Sequence, residues 1–249
     1  MKIGIPINPM QNNYEKMLEF ASNFDYIELS FDGMRKEELE DLKIPNVFVV
    51  HLPFRYIAYS SIYPELQEKS LELVCDLIRI GSRMGAKIFV AHPIVNGVIK
   101  HKKGLEKTFE AVRESTEKLS ECIKEMNLKI AFENMSLRYP LFNKPDDFKL
   151  LNINNICFDS SHSESCGIKS SDWIKSAEKI GLRINHIHLS GYDGKTTHTS
   201  LEDTNFDFES FSKSLKGINY NGTITLEMRY ASFEVVEKTK ERIRNSFKS

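Results

Sequence analysis

Short apolar runs, many of them β-branched, alternate with helical patterns along the whole chain. Runs such as VFVV before His51 and KIFVA before His92 contain few polar residues, which is typical of strands buried on both faces of a parallel sheet. This pattern predicts eight strands, near 2–7, 25–29, 47–51, 87–92, 128–133, 154–159, 184–189 and 223–228.

Between these runs, apolar residues recur at helical spacing. Two long amphipathic helices are predicted, at 64–84 with the stripe Leu66, Leu73, Leu77, Ile80 and Met84, and at 105–126. Shorter or weaker patterns predict helices at 13–22, 35–41, 145–150, 171–180, 207–216 and 232–247. The repeated strand–helix order, with no linker or low-complexity tract, predicts an α/β protein with one domain over residues 1–249.

Eight strand–helix units can form a closed TIM barrel, (β/α)8, or an open doubly wound sheet. An open sheet binds its ligand at one switch point, usually beside a glycine-rich first turn, whereas the first turn here is INPMQNN. We therefore expect the closed barrel, whose usual length of about 250 residues this chain matches.

Six of the predicted strands end on a side chain that can bind a metal: His51, His92, Glu133, Asp159, His188 and Glu227. In a parallel barrel all strand C-termini open on one face, so these residues would converge. A single histidine at a strand end is more often a core or solvated residue, but six donors in one place need a common partner. Histidine and carboxylate together suit first-row divalent ions, so a metal site is predicted at that face.

Composition limits the partners and the cellular location that we expect for this protein. The 34 Lys and Arg nearly balance the 35 Asp and Glu, giving a formal net charge of −1, so no general basic field favours nucleic acid or an anionic membrane. No apolar run reaches the length of about 20 residues that a membrane span needs, and the start, MKIGIPINPM, lacks a signal-peptide core. A cytoplasmic protein is expected, and a homo-oligomer is compatible with the sequence.

Several segments together resemble one family, the xylose isomerase-like TIM barrels, which include sugar and sugar-phosphate isomerases and epimerases as well as endonuclease IV-type AP endonucleases. The segments are VVHLPF, FVAHP, AFENM, CFDSSH, IHLSGYDGKTTHTSLEDTNFDF and TITLEMR, in that order along the chain. The resemblance implies a central metal held by Glu133, Asp159, His188 and Glu227. It also implies that His51 and His92, with Glu133 bridging, match the ligands of a second metal in the endonuclease branch.

The resemblance assigns further residues to the substrate. His162 and His198 match histidines that contact substrate in the isomerases and bind a third metal in the nucleases. Glu28 matches a glutamate closing the second strand, where it could order a substrate hydroxyl or form a structural ion pair. Arg229 lies two residues beyond Glu227 and thus on the same strand face, where it could hold hydroxyl or phosphate oxygens or form a salt bridge at the rim.

Two activities are compatible with this site. The preferred one is a divalent-metal-dependent sugar or sugar-phosphate isomerase or epimerase, in which Glu133 and Glu227 move a proton through an enediolate. The alternative is a zinc-dependent phosphodiester hydrolase with paired ions, similar to an AP endonuclease. Zn²⁺ or Mn²⁺ suits the ligands best, and Co²⁺, Ni²⁺ and Mg²⁺ are compatible.

Departures from the family pattern favour the small substrate. Thr196 stands where the family has an Asp, which argues against a third metal unless Asp193 folds back to replace it. Glu202 and Asp203 occupy the place of a Gly-x-Gly segment and would repel a phosphodiester backbone. A small sugar-like substrate is therefore expected, with nucleic acid as the second choice.

Overall fold

The computed structural model describes residues 1–95, 101–229 and 231–247. Eight parallel strands form a closed barrel in the order β1-β10-β7-β6-β5-β4-β3-β2. Their bounds are β1 Lys2–Ile7, β2 Tyr26–Ser30, β3 Val47–His51, β4 Ile88–Ala91, β5 Lys129–Glu133, β6 Asn155–Asp159, β7 Arg183–Leu189 and β10 Thr223–Leu226. The prediction of a closed (β/α)8 barrel is confirmed.

The predicted helices are present with ends within a few residues of those expected. They are α1 Tyr14–Ala21, α2 Lys36–Asp41, α3 Pro64–Arg83, α4 Lys102–Ile123, α5 Pro145–Leu150, α7 Ser170–Lys179, α8 Phe208–Gly217 and α9 Phe233–Phe247. Within the described ranges, no helix combines the length and apolarity that crossing a bilayer requires.

Internal contacts divide the chain into two compact units. The first, Pro6–Glu133, has a core in which Val50 of β3 and Phe89 of β4 are completely buried. The second comprises Met1–Ile5 and Asn134–Ser249, and its core contains Trp173, whose indole lies 4.8 Å from the ring of Phe158.

The buried face of α3 differs from the predicted stripe. Leu66 and Leu73 are 51% and 43% exposed, whereas Leu71 and Val74 are buried. The buried side also includes Gln67, whose amide nitrogen donates to the Ala111 carbonyl at 2.8 Å and to Ser115 Oγ at 3.1 Å. A satisfied polar residue thus occupies the helix–helix contact, which apolar periodicity does not predict.

Four short elements near the predicted site were also absent from the prediction. Helix α6, Ser160–Ser165, begins directly after β6. The strands β8 Gly191–Tyr192 and β9 Thr197–Thr199 form an antiparallel hairpin after β7, and a 3-10 turn follows at Leu201–Asp203.

Candidate metal centre

Strand register places the predicted ligands at the C-terminal ends of their strands. His51, Glu133 and Asp159 are the last residues of β3, β5 and β6, and His188 is the penultimate residue of β7. His92 and Glu227 come one residue after their strands end. In the second unit Asp159 pairs with His188, so these two donors lie at the same level.

In the first unit, His51, His92 and Glu133 form the β3–β5 cluster. The Nε2 atoms of His51 and His92 lie 3.4 and 3.0 Å from Glu133 Oε2, and Glu133 is 1% exposed. The Phe54 ring stacks on the His92 ring, with centroids 4.5 Å apart. One donor atom from each of the three residues lies within 4.8 Å of the others, so the three can share one ion.

The tautomer of His51 supports a cation in this cluster. Its Nδ1 lies 2.9 Å from the Leu52 carbonyl, which can only accept, so Nδ1 carries the hydrogen. In the neutral ring Nε2 then presents a lone pair toward a carboxylate oxygen. That contact becomes attractive with a proton on Nε2 or with a shared metal ion, and a backbone-anchored imidazole is the usual arrangement of a metal-bound histidine.

In the second unit, Asp159, His188, His198 and Glu227 form the β6–β10 cluster. Glu227 Oε2 lies 3.2 Å from His188 Nδ1 and 3.5 Å from His198 Nδ1. Asp159 Oδ2 lies 3.9 and 3.7 Å from the same two nitrogen atoms. Each of the two carboxylates thus faces both imidazoles.

Asp159 shows that this donor set suits a metal. The residue is completely buried, and its Oδ1 accepts hydrogen bonds from Ser161 Oγ at 2.8 Å and from the His162 N–H at 2.7 Å. Its Oδ2 accepts no hydrogen bond from any of the described residues. A buried carboxylate oxygen without a donor is costly, and a divalent ion beside Glu227 and His188 would satisfy it.

The two predicted substrate histidines lie next to this cluster. The rings of His162 and His198 meet edge to face, with centroids 5.0 Å apart, and both residues are buried. Burial lowers the pKa of His198, an effect that Glu227 and Asp159 partly oppose. His198 also has a positive φ of 62°, a conformation that non-glycine residues adopt rarely and that often marks functional sites.

Asp159, His162 and His198 could themselves hold an ion, since their donor atoms lie within 4.8 Å of one another.

Asp193 does not supply the carboxylate that the family has at the position of Thr196. Asp193 is exposed and closes its own turn, where Oδ1 accepts from the N–H groups of Lys195 and Thr196 at 2.8 and 2.7 Å. These hydrogen bonds lower the pKa of the Asp193 carboxyl.

Arg229 and Glu28 differ in position. Arg229 is half-exposed and donates to Glu227 Oε1 at 3.3 Å, so it forms the salt bridge that was the alternative to substrate binding, and its guanidinium stays accessible. Glu28 is 2% exposed and lies two residues before Ser30, which pairs with His51. It therefore lies one side-chain layer below the end of the strands.

A further group, Cys157, His186 and His188, includes a histidine, His186, whose two ring nitrogens already have protein partners. Both ring nitrogens of His186 face hydroxyls, Nδ1 at 2.7 Å from Thr223 Oγ1 and Nε2 at 3.3 Å from Thr225 Oγ1. The His186 and His188 rings meet edge to face at 5.0 Å. His186 thus packs beneath a predicted ligand.

Sequence reasoning missed Asn134, the residue after Glu133. Asn134 is completely buried and its side-chain amide forms hydrogen bonds to the backbone of Asp159. Its place directly after a predicted ligand, in AFENM, was the only available signal.

A closed parallel barrel with helices between its strands defines the class of (β/α)8 proteins. A family model described as "Xylose isomerase-like TIM barrel" matches residues 20–248, and the chain belongs to that family. Among curated proteins it is similar to the uncharacterized protein MJ1614 of Methanocaldococcus jannaschii, with 28% identity over 91% of this chain and 92% of that protein. MJ1311 of the same organism is 25% identical over 88% of this chain and 78% of that protein.

Solved structures with the same fold include several described as sugar epimerases. A D-tagatose 3-epimerase-like protein superposes with a TM-score of 0.78 at 22% identity, over 100% of this chain and 97% of that chain. A D-allulose 3-epimerase from Methylomonas sp., in complex with D-allulose, has a TM-score of 0.77 at 14% identity, over 99% and 98% of the two chains. At these identities the likeness establishes the fold.

Proposed function

We propose that this protein is a divalent-metal-dependent isomerase or epimerase of a small sugar or sugar derivative. The observation that carries the proposal is the β6–β10 cluster, in which the unsatisfied Oδ2 of Asp159 lies between imidazoles beside Glu227. Similarity in fold to proteins described as sugar epimerases supports the substrate class.

Glu133, Asp159, His188 and Glu227 are the proposed ligands. Each of them is the last residue of its strand or lies within one residue of the strand's end. When bound, the ion would neutralise the negative charge that develops on neighbouring substrate oxygens.

The two glutamates carry the proposed proton transfer. One carboxylate removes the proton from the carbon next to the carbonyl, the electron pair of that C–H bond forms a C=C bond, and the π pair of the C=O bond moves to the carbonyl oxygen to give an enediolate. The other, protonated, glutamate returns a proton to the opposite face of the same carbon, which gives an epimer. Return to the neighbouring carbon, with loss of a hydroxyl proton, gives the isomer.

Other residues bind and orient the substrate in this proposal. Arg229 donates to Glu227 Oε1 and so restrains that carboxylate while its remaining N–H groups stay available for a substrate oxygen. His162 and His198 bind hydroxyls, and Phe54 excludes water from the β3–β5 cluster. Glu28 orders a hydroxyl from the layer below.

Proton exchange from carbon tests the proposal directly. The protein loaded with Mn²⁺ or Zn²⁺ should, in D₂O, replace the hydrogen next to the carbonyl of a ketose by deuterium and form its epimer or isomer, followed by NMR. Glu133→Gln and Glu227→Gln should each lower the exchange rate by about 10²- to 10⁴-fold. Glu202→Gln, which alters an exposed carboxylate, is the matched control and should exchange normally. Metal-loaded protein that exchanges no ketose in a broad panel would contradict the proposal.

A two-metal phosphodiester hydrolase is the second candidate, favoured by the β3–β5 cluster. Its two Nε2 atoms face one oxygen of Glu133, which is the arrangement expected if that carboxylate joins a second ion. Against nucleic acid, a surface pocket of the second unit is lined by four carboxylates, Glu164, Asp193, Glu202 and Asp203. Cleavage of abasic-site DNA that is lost in His51→Ala and His92→Ala, with two ions bound per chain, would reverse our order of preference.

A further inference from the structure

The side-chain amide of Asn134 holds the end of β6. Its Oδ1 accepts from the Asp159 N–H at 2.7 Å, and its Nδ2 donates to the Asp159 carbonyl at 3.0 Å. The amide therefore satisfies both polar backbone groups of Asp159, as a neighbouring strand residue would. The Asn134 N–H also donates to the Cys157 carbonyl at 3.3 Å, which keeps the two segments in register.

This pairing determines where the Asp159 carboxylate points. Asp159 is the last residue of β6 and the N-cap of α6, with extended φ and ψ of −95° and 119°. With its backbone held, Oδ1 caps the helix and Oδ2 is directed at His188 and His198. Loss of the amide would free the backbone at the point where the strand becomes a helix, and the carboxylate would lose its fixed direction.

The main chain of Asn134 also orients His162. Its carbonyl oxygen lies 2.8 Å from His162 Nδ1, and because a carbonyl only accepts, Nδ1 must carry the hydrogen. The neutral ring then has its lone pair on Nε2. His162 is thus prepared to accept a hydrogen bond from a substrate hydroxyl.

We propose that Asn134 is a positioning residue that sets both the direction of the metal ligand Asp159 and the tautomer of the substrate-binding His162. This inference rests on the proposed function, since it assigns Asp159 to the ion and His162 to the substrate. Asn134 itself would contact neither the ion nor the substrate, and it would act on them through Asp159 and His162.

The first test is the affinity of the protein for Mn²⁺ and Zn²⁺, measured by calorimetry without any sugar. Asn134→Ala removes both side-chain hydrogen bonds to Asp159 and should raise the metal Kd by about 10- to 100-fold, the usual effect of losing a group that orients a ligand. Asn134→Asp keeps the shape but places an oxygen against the Asp159 carbonyl, and should also raise Kd. If the alanine variant does not fold, the metal Kd of Asn134→Asp tests the inference.

Asn143→Ala is the matched control. Asn143 lies in the same loop and its amide also makes two hydrogen bonds to backbone carbonyls, those of Met135 and Ser136 at 2.8 and 3.0 Å. This variant should lose stability but keep the metal Kd of the wild type. A folded Asn134 variant with the wild-type Kd, or equal effects on Kd from Asn134 and Asn143, would overturn the inference.

The second test is the tautomer of His162, read from the ring ¹⁵N shifts of the neutral side chain. The wild type should show a protonated Nδ1 and an unprotonated Nε2, and the opposite tautomer would overturn this half of the inference. Failure of the proposed function can be distinguished from failure of the inference about Asn134. A wild type that binds metal but exchanges no ketose would remove the function, and the effect of Asn134 on Kd would remain.

Discussion

A buried carboxylate with one oxygen lacking a donor is the residue-scale feature on which the site depends. Asp159 is 0% exposed, and Oδ2 faces two imidazole nitrogens at distances too long for hydrogen bonds. Without a cation, such an arrangement opposes folding, because the charge has lost its water. The surroundings of Asp159 are therefore those expected of a residue that binds a cation at the expense of the stability of the metal-free protein.

Asp159→Asn should separate these two effects. The amide oxygen can still accept from Ser161 and His162, while the buried charge is removed. The metal-free variant should thus be as stable as the metal-free wild type or more stable, by up to about 4 kcal/mol in urea unfolding. Its affinity for metal should fall by at least about tenfold. Asp193→Asn, at the exposed turn, should leave metal affinity unchanged, and a large loss of stability in metal-free Asp159→Asn would contradict this view.

Each proposed ligand residue could be identified from the sequence, but the residues that form hydrogen bonds with it could not. Asp159 and His188 follow apolar runs, and that pattern is visible in the sequence. The contact of Asn134 with Asp159 joins residues 25 positions apart and depends on register. The position of Asp193 was also not predicted, because its carboxylate accepts hydrogen bonds from the N–H groups of its own turn.

At the scale of elements, the sequence pattern predicted the barrel strands and the helices between them, and it missed the short elements that follow β6 and β7. Helix α6 has the sequence SSHSES, which has no apolar face, and it forms because Asp159 caps it and Ser165 Oγ bonds back to the His162 carbonyl at 2.7 Å. The hairpin of β8 and β9 is likewise too short for a period to appear. These elements carry His162 and His198.

Two helical glycines offer a test of element packing. A Cβ added at Gly81 of α3 would lie 2.7 Å from Phe89 Cε1 and 3.1 Å from Val50 Cγ2, whereas at Gly217 of α8 it would meet nothing within 4 Å. Gly81→Ala should therefore destabilise the protein by about 1–3 kcal/mol through overpacking. Gly217→Ala should stabilise it by about 0.4–1 kcal/mol. Both free energies of unfolding can be measured in urea, and equal effects would contradict the packing described for α3.

At the scale of the whole molecule, the proposed ligands come from distant parts of the sequence, so binding of an ion by them would stabilise the folded protein. Glu133, Asp159, His188 and Glu227 span 95 positions of the chain (227 − 133 + 1). An ion bound only by the folded protein stabilises it according to its concentration relative to Kd.

Chelation should consequently lower the thermal midpoint. At a free metal concentration of about 100 times Kd the stabilisation should be about 2.7 kcal/mol, and it should increase with metal concentration. Glu227→Gln should reduce this dependence, and Glu202→Gln should keep it. A midpoint independent of metal in the wild type would refute the proposed centre, and differential scanning calorimetry can decide.

By itself the sequence determined the strand–helix alternation, the closed barrel and the positions of the strand-end donors. It could do so because burial on both faces of a strand and on one face of a helix leaves a local apolar period. Only the tertiary structure decided the buried face of α3, the helix that Asp159 caps, and the double hydrogen bond of Asn134. The face of α3 and the Asn134 contact depend on hydrogen bonds between residues far apart in the chain, whereas α6 depends on short-range polar caps. Neither kind of contact leaves an apolar period in the order of the residues.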